Sequence, residues 1–520
     1  MSRPRPMVAL AAAFLALAAA APAQPPVLPP PRREEGKPAE LPPPRPAARD
    51  ELRLGEVLVS ADRHFPLLLA VMQEQGIASG QLLAAQGAFD LNLRGREFWQ
   101  VGTFDSHRIN LGVDQNLAWN GVSYFAGYRQ SVGQFPIYYG DRKTGEGGEA
   151  RAGVLIPLLA NRAIDVRRAR VMQAEITRRI ADPVIATQRI DVLRAAARAY
   201  WTWAGVGRRF LVARSVLEIA ERRDRQLDEM VRKGAVNEIE KIDNQRVVIE
   251  RRARLVVAER AVQQASIALS LYLRDPAGHP ILPPESHLPQ SLPEAFPLDP
   301  QRVAKDIEVA LSRRPELTRL RLQRERVAVE RELASNQMLP GLNLGLEGYQ
   351  DFGFGSNFSK TPLVKGTQLD RSTYIASLQF DLPLQRRDAR GRIQAAEAQL
   401  AQLFEQERFQ RDRVVAEVQD AASNLQQSYR LLQEARRGLG VAQKVETAET
   451  ERFRLGQVTV LILNLRELVT AEAAFAEVDA LAEYHRAQAD YRAALGLDGQ
   501  APGTHGGPCI ELPRLEILPE

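Results

Sequence analysis

Long amphipathic helices are the clearest structures that the pattern of apolar and polar residues predicts. The stretch from Gln385 to Ala501 has no proline and is rich in Ala, Leu, Glu, Gln and Arg, a composition that favours helix. One turn signal interrupts it, at Arg454-Leu455-Gly456-Gln457-Val458. Before this turn, apolar residues follow the four-three spacing of helices that pack on a partner: Val414, Val418, Ala421, Leu425, Leu432 and Ala435.

After the turn, a similar stripe predicts the helix that returns along the first. Glu467 lies off this stripe. The first arm, from Arg386 to Phe453, would be about 100 Å long at the rise of an α-helix. The residues of the second stripe are Leu461, Leu465, Leu468, Ala471, Phe475, Val478 and Ala482. Together the two stripes predict a long antiparallel helical hairpin.

Alternation with a period of two residues predicts β-strands ahead of such hairpins. Leu342, Leu344 and Leu346 alternate with Asn343 and Glu347 among others. We expect four strands, at about 88–104, 148–159, 340–354 and 372–384. The Gly- and Tyr-bearing chain between the first two is expected to extend these strands and to form a large exposed loop.

The same order of elements occurs twice along the chain. Phe65-Pro66 corresponds to Arg314-Pro315 at the start of a helix, and Gly234 corresponds to Gly456 at a hairpin turn. We therefore expect a tandem duplication of helix, strand, loop, strand and helical hairpin. The expected parts are a first repeat at 51–275 with its hairpin at 161–273, a Pro-rich connector at 276–300, and a second repeat at 301–500 with its hairpin at 386–496.

The N-terminus has the features of an export signal. Residues 1–23 carry two arginines, an apolar run and a small-residue cleavage site, which predicts a secretory signal peptide; an N-terminal anchor helix is the alternative. A Pro-rich segment at 24–50 and a tail at 501–520 complete the chain. The one cysteine, Cys509, excludes an intrachain disulfide, and no lipid-anchoring cysteine follows the cleavage site.

The strands could have one face on lipid and the other on water. A soluble sandwich with one face on a core is the commoner source of alternation. Export, the small number of strands and their position next to very long helices favour strands that lie in a membrane over a soluble sandwich. Open sheet edges are not tolerated in hydrocarbon and four strands cannot enclose a pore, so several chains must share one barrel.

Composition excludes several other classes of function. The formal net charge is only +5, and the arginines alternate with acidic residues, so no nucleic-acid partner is expected. The six histidines are scattered, and there is no HExxH motif or nucleotide-binding glycine loop. We therefore expect no enzymatic activity, no cofactor and no resident metal.

In the order and duplication of these elements, the chain from about Leu54 to Asp498 resembles the outer membrane efflux protein family, the TolC-like channel tunnels. The resemblance implies a fold that is mainly α with a small β part, and a homotrimer. In it, four strands per chain would form a twelve-stranded barrel in outer membrane lipid, and the helices would form a hollow α-barrel in the periplasm. It also implies two partners, a periplasmic membrane-fusion adaptor and an inner-membrane transporter.

The resemblance also assigns roles to residues at the hairpin turns. The turns match the tips that meet the adaptor in this family, although a glycine there could simply reverse the chain. Family members commonly have acidic residues six and nine positions after the last tip glycine, where this chain has Ile462 and Leu465. The residues that match the tips are Arg232, Gly234, Val236, Arg454, Gly456 and Val458.

In the first hairpin the same spacing gives Glu240 and Asp243. Three copies of each would repel one another when ionised and favour cations at a periplasmic entrance. The alternative is an ordinary pair of exposed helix charges beside Lys241. Asn343, Glu347 and Asp381 are the candidates for strand residues that face the lumen.

These expectations lead to three hypotheses of function. The first is a passive outer membrane duct that exports small molecules as part of a tripartite efflux system. The second is the outer membrane component of a type I polypeptide secretion system. The third is a periplasmic coiled-coil scaffold without a pore, which would be found in the soluble periplasmic fraction.

Overall fold

The computed structural model describes residues 51–135, 144–234, 236–352 and 372–499. The predicted signal peptide, the Pro-rich segment at 24–50 and the tail with Cys509 lie outside the described residues. Everything below concerns the described part of the chain.

The described residues form eight α-helices and one antiparallel sheet of six strands. The helices are α1 Leu54–His64, α2 Pro66–Gln86, α3 Val166–Arg232, α4 Glu238–Ser270, α5 Arg302–Arg313, α6 Pro315–Asn336, α7 Arg387–Arg454 and α8 Val460–Ala494. The strands are β1 Asn92–Gln100, β2 Ser106–Asn116, β3 Ser123–Gly133, β4 Glu149–Pro157, β5 Gly341–Asp351 and β6 Thr373–Asp381.

Corresponding helices in the two halves of the chain are nearly equal in length. The long helices α3 and α7 have 67 and 68 residues, and their return helices α4 and α8 have 33 and 35. Phe65 and Arg314 each separate a short helix from one that starts with proline, and both have extended backbone. A residue before proline is disfavoured in helix, so the same sequence signal ends a helix at both places.

Each long helix is about 100 Å in length at 1.5 Å per residue. The sequence predicts a kink or local break at Asp182-Pro183, but α3 continues without a break through Pro183. Proline removes one backbone donor and crowds the carbonyl four residues before it, and the remaining hydrogen bonds of a 67-residue helix maintain the helix despite this cost. Pro183 is buried.

Three buried clusters join the helices. The first surrounds Trp203 of α3 and includes residues of α1 and α4. The second contains Val418 of α7 and Tyr484 of α8 and extends to the connector. The third joins the start of α3 to α6, with Ile176 and Val329 among its members. Burial of these apolar side chains is the main source of stability for helices of this length.

The predicted seam of α7 is confirmed, because Val414, Val418, Leu425 and Leu432 are all buried. The predicted stripe of α8 is wrong near the turn. Leu461 and Leu465 are exposed, and the buried side chains there include Leu463, Asn464 and Glu467. The packed face near the turn therefore includes Leu463 and not Leu461 or Leu465.

The sheet has six strands in the order β1-β2-β3-β4-β5-β6, and the expectation of four strands per chain is wrong. The additional strands β2 and β3 lie where the sequence predicts an exposed loop. Their glycines and tyrosines favour a loop by propensity, but β2 and β3 pair antiparallel from Ser106 opposite Gly133 to Asn116 opposite Ser123. Backbone hydrogen bonding to both neighbours makes this segment part of the sheet.

None of the helices in the described part of the chain has the combination of length and apolarity that crossing a membrane requires.

Candidate functional site

The register of the sheet separates its side chains into two chemically different faces. Residues directly opposite each other in an antiparallel pair lie on the same face, and successive residues alternate. Asn343 is opposite Gln379, Glu347 is opposite Gly153, and Asp381 is opposite Gly341. The three predicted lumen-facing residues therefore lie on one face, which we call the polar face.

The polar face carries charged residues on every strand. Glu149 of β4 lies on this face with its side chain fully buried, and its Oε1 lies 2.8 Å from an Nη of Arg129 on the neighbouring strand. Arg94 and Asp114 form a second cross-strand pair at 2.6 Å. The charged residues of this face are Arg94, Arg96, Arg108, Asp114, Arg129, Glu149, Arg151, Glu347, Asp351 and Asp381.

The opposite face, which we call the apolar face, is dominated by aliphatic and aromatic side chains. Its acidic and basic residues within the described strands are Glu97 and His107, which contact each other at the β1–β2 end. Large members of this face remain exposed, including Trp99 at 73%, Tyr374 at 82% and Phe380 at 66%. An exposed apolar surface of this kind marks contact with a membrane or another protein.

The larger apolar-face residues are Leu93, Trp99, Ile109, Leu111, Val113, Tyr124, Tyr128, Val132, Val154, Ile156, Leu342, Leu344, Leu346, Tyr374, Leu378 and Phe380. In a soluble sandwich this face would pack on a core. Here much of it has no such cover, so the geometry favours the membrane interpretation of the alternation.

Glycines relieve crowding on the polar face. Gly112 and Gly127 are directly opposite each other, and a Cβ on Gly112 would lie 2.9 Å from the carbonyl oxygen of Ala126. A Cβ on Gly153 would lie 2.5 Å from the ring of Phe125. Glycine at such positions lets strands curve and neighbouring groups approach closely, so these residues allow the sheet to bend towards the polar face.

Both outer strands of the sheet are edges in this chain. β1 pairs only with β2, and β6 pairs only with β5, among the described strands. Nearly all residues of these two strands are exposed. The backbone groups of the two edges are therefore available for further strand pairing.

The two hairpin turns have the same backbone geometry. Gly234 has φ +70° and Gly456 has φ +71°, the left-handed conformation that ends many helices. Gly456 N donates to Phe453 O at 2.9 Å and Gln457 N donates to Arg452 O at 2.9 Å, which is the Schellman pattern. A Cβ at either glycine would meet nothing within 4 Å, so the glycines are required by the backbone and not by crowding.

The predicted tip residues beside these glycines have matching environments. Arg232 and Arg454 are exposed, and Val236 and Val458 are half-buried. Each turn therefore presents one arginine and an open glycine to solvent, while one valine packs partly against the hairpin.

The structure places Glu240 and Asp243 on the first turns of α4, where both are half-buried. Asp243 accepts a hydrogen bond from Arg246 Nε at 3.2 Å. Lys241 contacts Asp228 of α3 at 2.5 Å, and this hydrogen bond holds the pKa of the Asp228 carboxyl below its ordinary value. Asp243 and Lys241 are thus paired within the hairpin, and Ile462 and Leu465 occupy the corresponding places of α8.

A buried ionic cluster joins both hairpins, and the sequence interpretation missed it. Glu467 of α8 is 5% exposed. It accepts hydrogen bonds from Arg223 of α3, at 2.9 Å, and from Arg251 of α4, also at 2.9 Å. Asn464 accepts another from Arg223 at 2.8 Å. The available signal was the position of Glu467 one turn after Leu463, on the face that proves to be buried.

Residues 307–497 match the family model described as outer membrane efflux protein. The predicted resemblance to that family is confirmed. No curated protein matches the chain.

Solved structures with the same fold include outer membrane channels. The chain resembles MtrE of Neisseria gonorrhoeae with a TM-score of 0.61 and 14% identity, over 85% of this chain and 89% of that one. It resembles VceC of Vibrio cholerae with a TM-score of 0.57 and 17% identity, over 85% and 96%. For CmeC of Campylobacter jejuni the values are 0.56 and 14%, over 85% of both chains. At these identities the likeness shows the fold: a mostly helical chain with a small antiparallel sheet.

Proposed function

We propose that this chain, whose residues 307–497 carry the outer membrane efflux protein signature, forms a homotrimeric outer membrane duct that exports small molecules. In this proposal the duct has no chemistry of its own. It works with a periplasmic membrane-fusion adaptor and an energised inner-membrane transporter, and reaches its compartment by means of the N-terminal signal peptide.

The observation that carries the proposal is the two-faced sheet with two open edges. An apolar face that remains exposed matches the hydrocarbon of a bilayer, and a charged opposite face matches a water-filled lumen. Open edges are too costly in lipid. Pairing β1 of one copy with β6 of the next removes every edge, and a ring of copies does so for all of them.

The long helices and the paired turns support the rest of the proposal. At about 100 Å, α3 and α7 are long enough to extend well into the periplasm from strands in the outer membrane. The turns at Gly234 and Gly456 end both hairpins with the same exposed geometry, and we propose them as the adaptor contact. The near-equal helix lengths in the two halves support a tandem duplication.

Fractionation and pore measurements test this function. The full chain should be extracted from outer membranes only with detergent, migrate as a heat-labile trimer, and conduct ions in a planar bilayer. Recovery as a soluble periplasmic protein without conductance would support the scaffold hypothesis and overturn the duct. Export of a small dye by cells that also contain the cognate adaptor and transporter measures the physiological activity.

Substitution of the turn glycines tests the adaptor contact separately. Gly456→Val places a β-branched residue at φ +71°, which distorts the turn. We expect lost export with the trimer still in the membrane. Gly438→Val is the matched control, because Gly438 is exposed within α7 and a Cβ there meets nothing within 4 Å. Unchanged export by Gly456→Val would remove the tip assignment.

A further inference from the structure

The first half of the chain contains a β-hairpin that has no counterpart among the described residues of the second half. β5 and β6, which lie between α6 and α7, pair directly with each other. The strands in the corresponding places of the first half are β1, which follows α2, and β4, which precedes α3. These two are separated in the sheet by β2 and β3. We call β2 and β3, residues 106–133, the inserted hairpin.

The inserted hairpin continues both faces of the sheet. Ile109, Leu111 and Val113 lie on the apolar face, while Arg108 and Asp114 lie on the polar face. Its strands have 11 residues each, about the length that a tilted strand needs to cross a bilayer. The inserted hairpin therefore has the length and side-chain pattern of two membrane-spanning strands and not those of an excursion outside the sheet.

Strand direction is preserved by inserting two strands at once. With β2 and β3 present, β1 and β6 still run in opposite directions, because each neighbouring pair in the six-stranded sheet is antiparallel. An antiparallel contact between β1 of one copy and β6 of the next is therefore still possible. The inserted hairpin lengthens the circumference of a shared barrel without preventing its closure.

We propose that the inserted hairpin widens the transmembrane barrel, so that three copies of a six-stranded sheet enclose an eighteen-stranded pore. This inference rests on the proposed homotrimer. With strands about 4.8 Å apart and tilted by about 40°, twelve strands give a backbone radius of roughly 12 Å and eighteen strands roughly 18 Å. Barrels of about 16 to 18 strands leave an open aqueous channel, so the outer opening passes bulkier hydrated solutes than a twelve-stranded barrel would.

The inserted hairpin also supplies part of the lining of this wider opening. Arg108, Asp114 and Arg129 bring charge to the polar face of β2 and β3. Arg129 of β3 forms an ion pair with the buried Glu149 of β4. This ion pair links the inserted hairpin to a strand that has a counterpart in the second half. Gly112 and Gly127 form a cross-strand pair without side chains, between Arg94 on β1 and Arg151 on β4.

Distances between spin labels in the full-length trimer measure the barrel radius. Cys509→Ser removes the natural cysteine, and Leu346→Cys on the apolar face of β5 receives a nitroxide. Equivalent Cα positions in a three-fold ring lie about 21 Å apart for twelve strands and about 31 Å apart for eighteen. The outward offset of the label adds equally to both values. We expect the longer distance.

Deletion of residues 106–133 provides the matched variant. β1 and β4 can then pair as β5 and β6 do, and the distance at position 346 should shorten by about 10 Å. A label at Gln457→Cys, in the remote hairpin turn, should keep its distance in both proteins. If the deletion variant does not assemble, the distance in the full-length protein still distinguishes a twelve-stranded from an eighteen-stranded barrel.

The mass of the assembly, measured in the same detergent, distinguishes a failure of the wide barrel from a failure of the trimer. A trimer with the shorter distance, or one whose distance does not change on deletion, would overturn the wide barrel and leave the duct intact. A protein that is not trimeric would overturn the proposed assembly and the wide barrel together.

Discussion

The buried cluster around Glu467 gives the sharpest prediction about stability. Glu467 accepts hydrogen bonds from Arg223 and Arg251, and all three side chains are at least nine-tenths buried. Glu467→Gln keeps the shape of the side chain and removes its charge. Two buried guanidinium groups then face each other without a counter-ion, and breaking a buried ion pair in this way costs about 3–5 kcal/mol.

Thermal or chemical unfolding of the helices, followed by circular dichroism in detergent, measures this cost. Glu472→Gln is the matched control, because Glu472 is exposed on the same helix and its change should stay within about 0.5 kcal/mol. Arg251→Met added to Glu467→Gln removes one unpaired charge and should recover part of the loss. If Glu467→Gln is no more destabilising than Glu472→Gln, the cluster does not stabilise the packing of the two hairpins.

Three further predictions follow from single residues. Gly456→Ala should destabilise the turn by about 1 kcal/mol because of its positive φ, whereas Gly438→Ala within α7 should stabilise the helix by up to about 1 kcal/mol; comparison of their melting temperatures checks both signs. Burial lowers the pKa of His485 from 6.5, so stability should be lost as pH falls below that value, and His485→Phe should remove this part of the pH dependence of melting. Burial opposes ionisation of Glu407, but hydrogen bonds from Arg324 and Arg321 keep its pKa below 4.5; stability should fall as pH drops through that lowered pKa, and less so in Glu407→Gln.

The helices could be predicted because their signals are local. A long stretch without proline, a glycine at the turn and a four-three apolar pattern act within a few residues of one another. The seam of α7 at Val414, Val418 and Leu425 is buried as expected. The burial of Glu467 could not be predicted in this way, because its partners Arg223 and Arg251 are more than two hundred residues away and only the packing of α3, α4 and α8 brings them together.

The inserted hairpin shows a different reason for failure. Ile109, Leu111 and Val113 alternate with polar residues, so the strand signal of β2 was present. The glycines at 112 and 127 weaken a strand by propensity, and that weakness favoured the interpretation as a loop. In the structure the same glycines are opposite each other, where a Cβ would collide with neighbouring backbone. Glycine disfavours a strand by propensity alone, but at these two positions the packing of neighbouring strands requires it.

The two hairpin turns show which properties two similar halves share and which differ. Gly234 and Gly456 have nearly identical φ values, because a chain reversal after a long helix permits few backbone solutions. Nothing in that backbone constrains the side chains of the next turns, which are the half-buried Glu240 and Asp243 in one half and the exposed Ile462 and Leu465 in the other. In the proposed trimer, six structurally similar ends would therefore present two alternating surfaces, one charged and one apolar. An adaptor that binds all six ends would then recognise what the tips have in common, which is the left-handed glycine turn and the exposed Arg232 or Arg454.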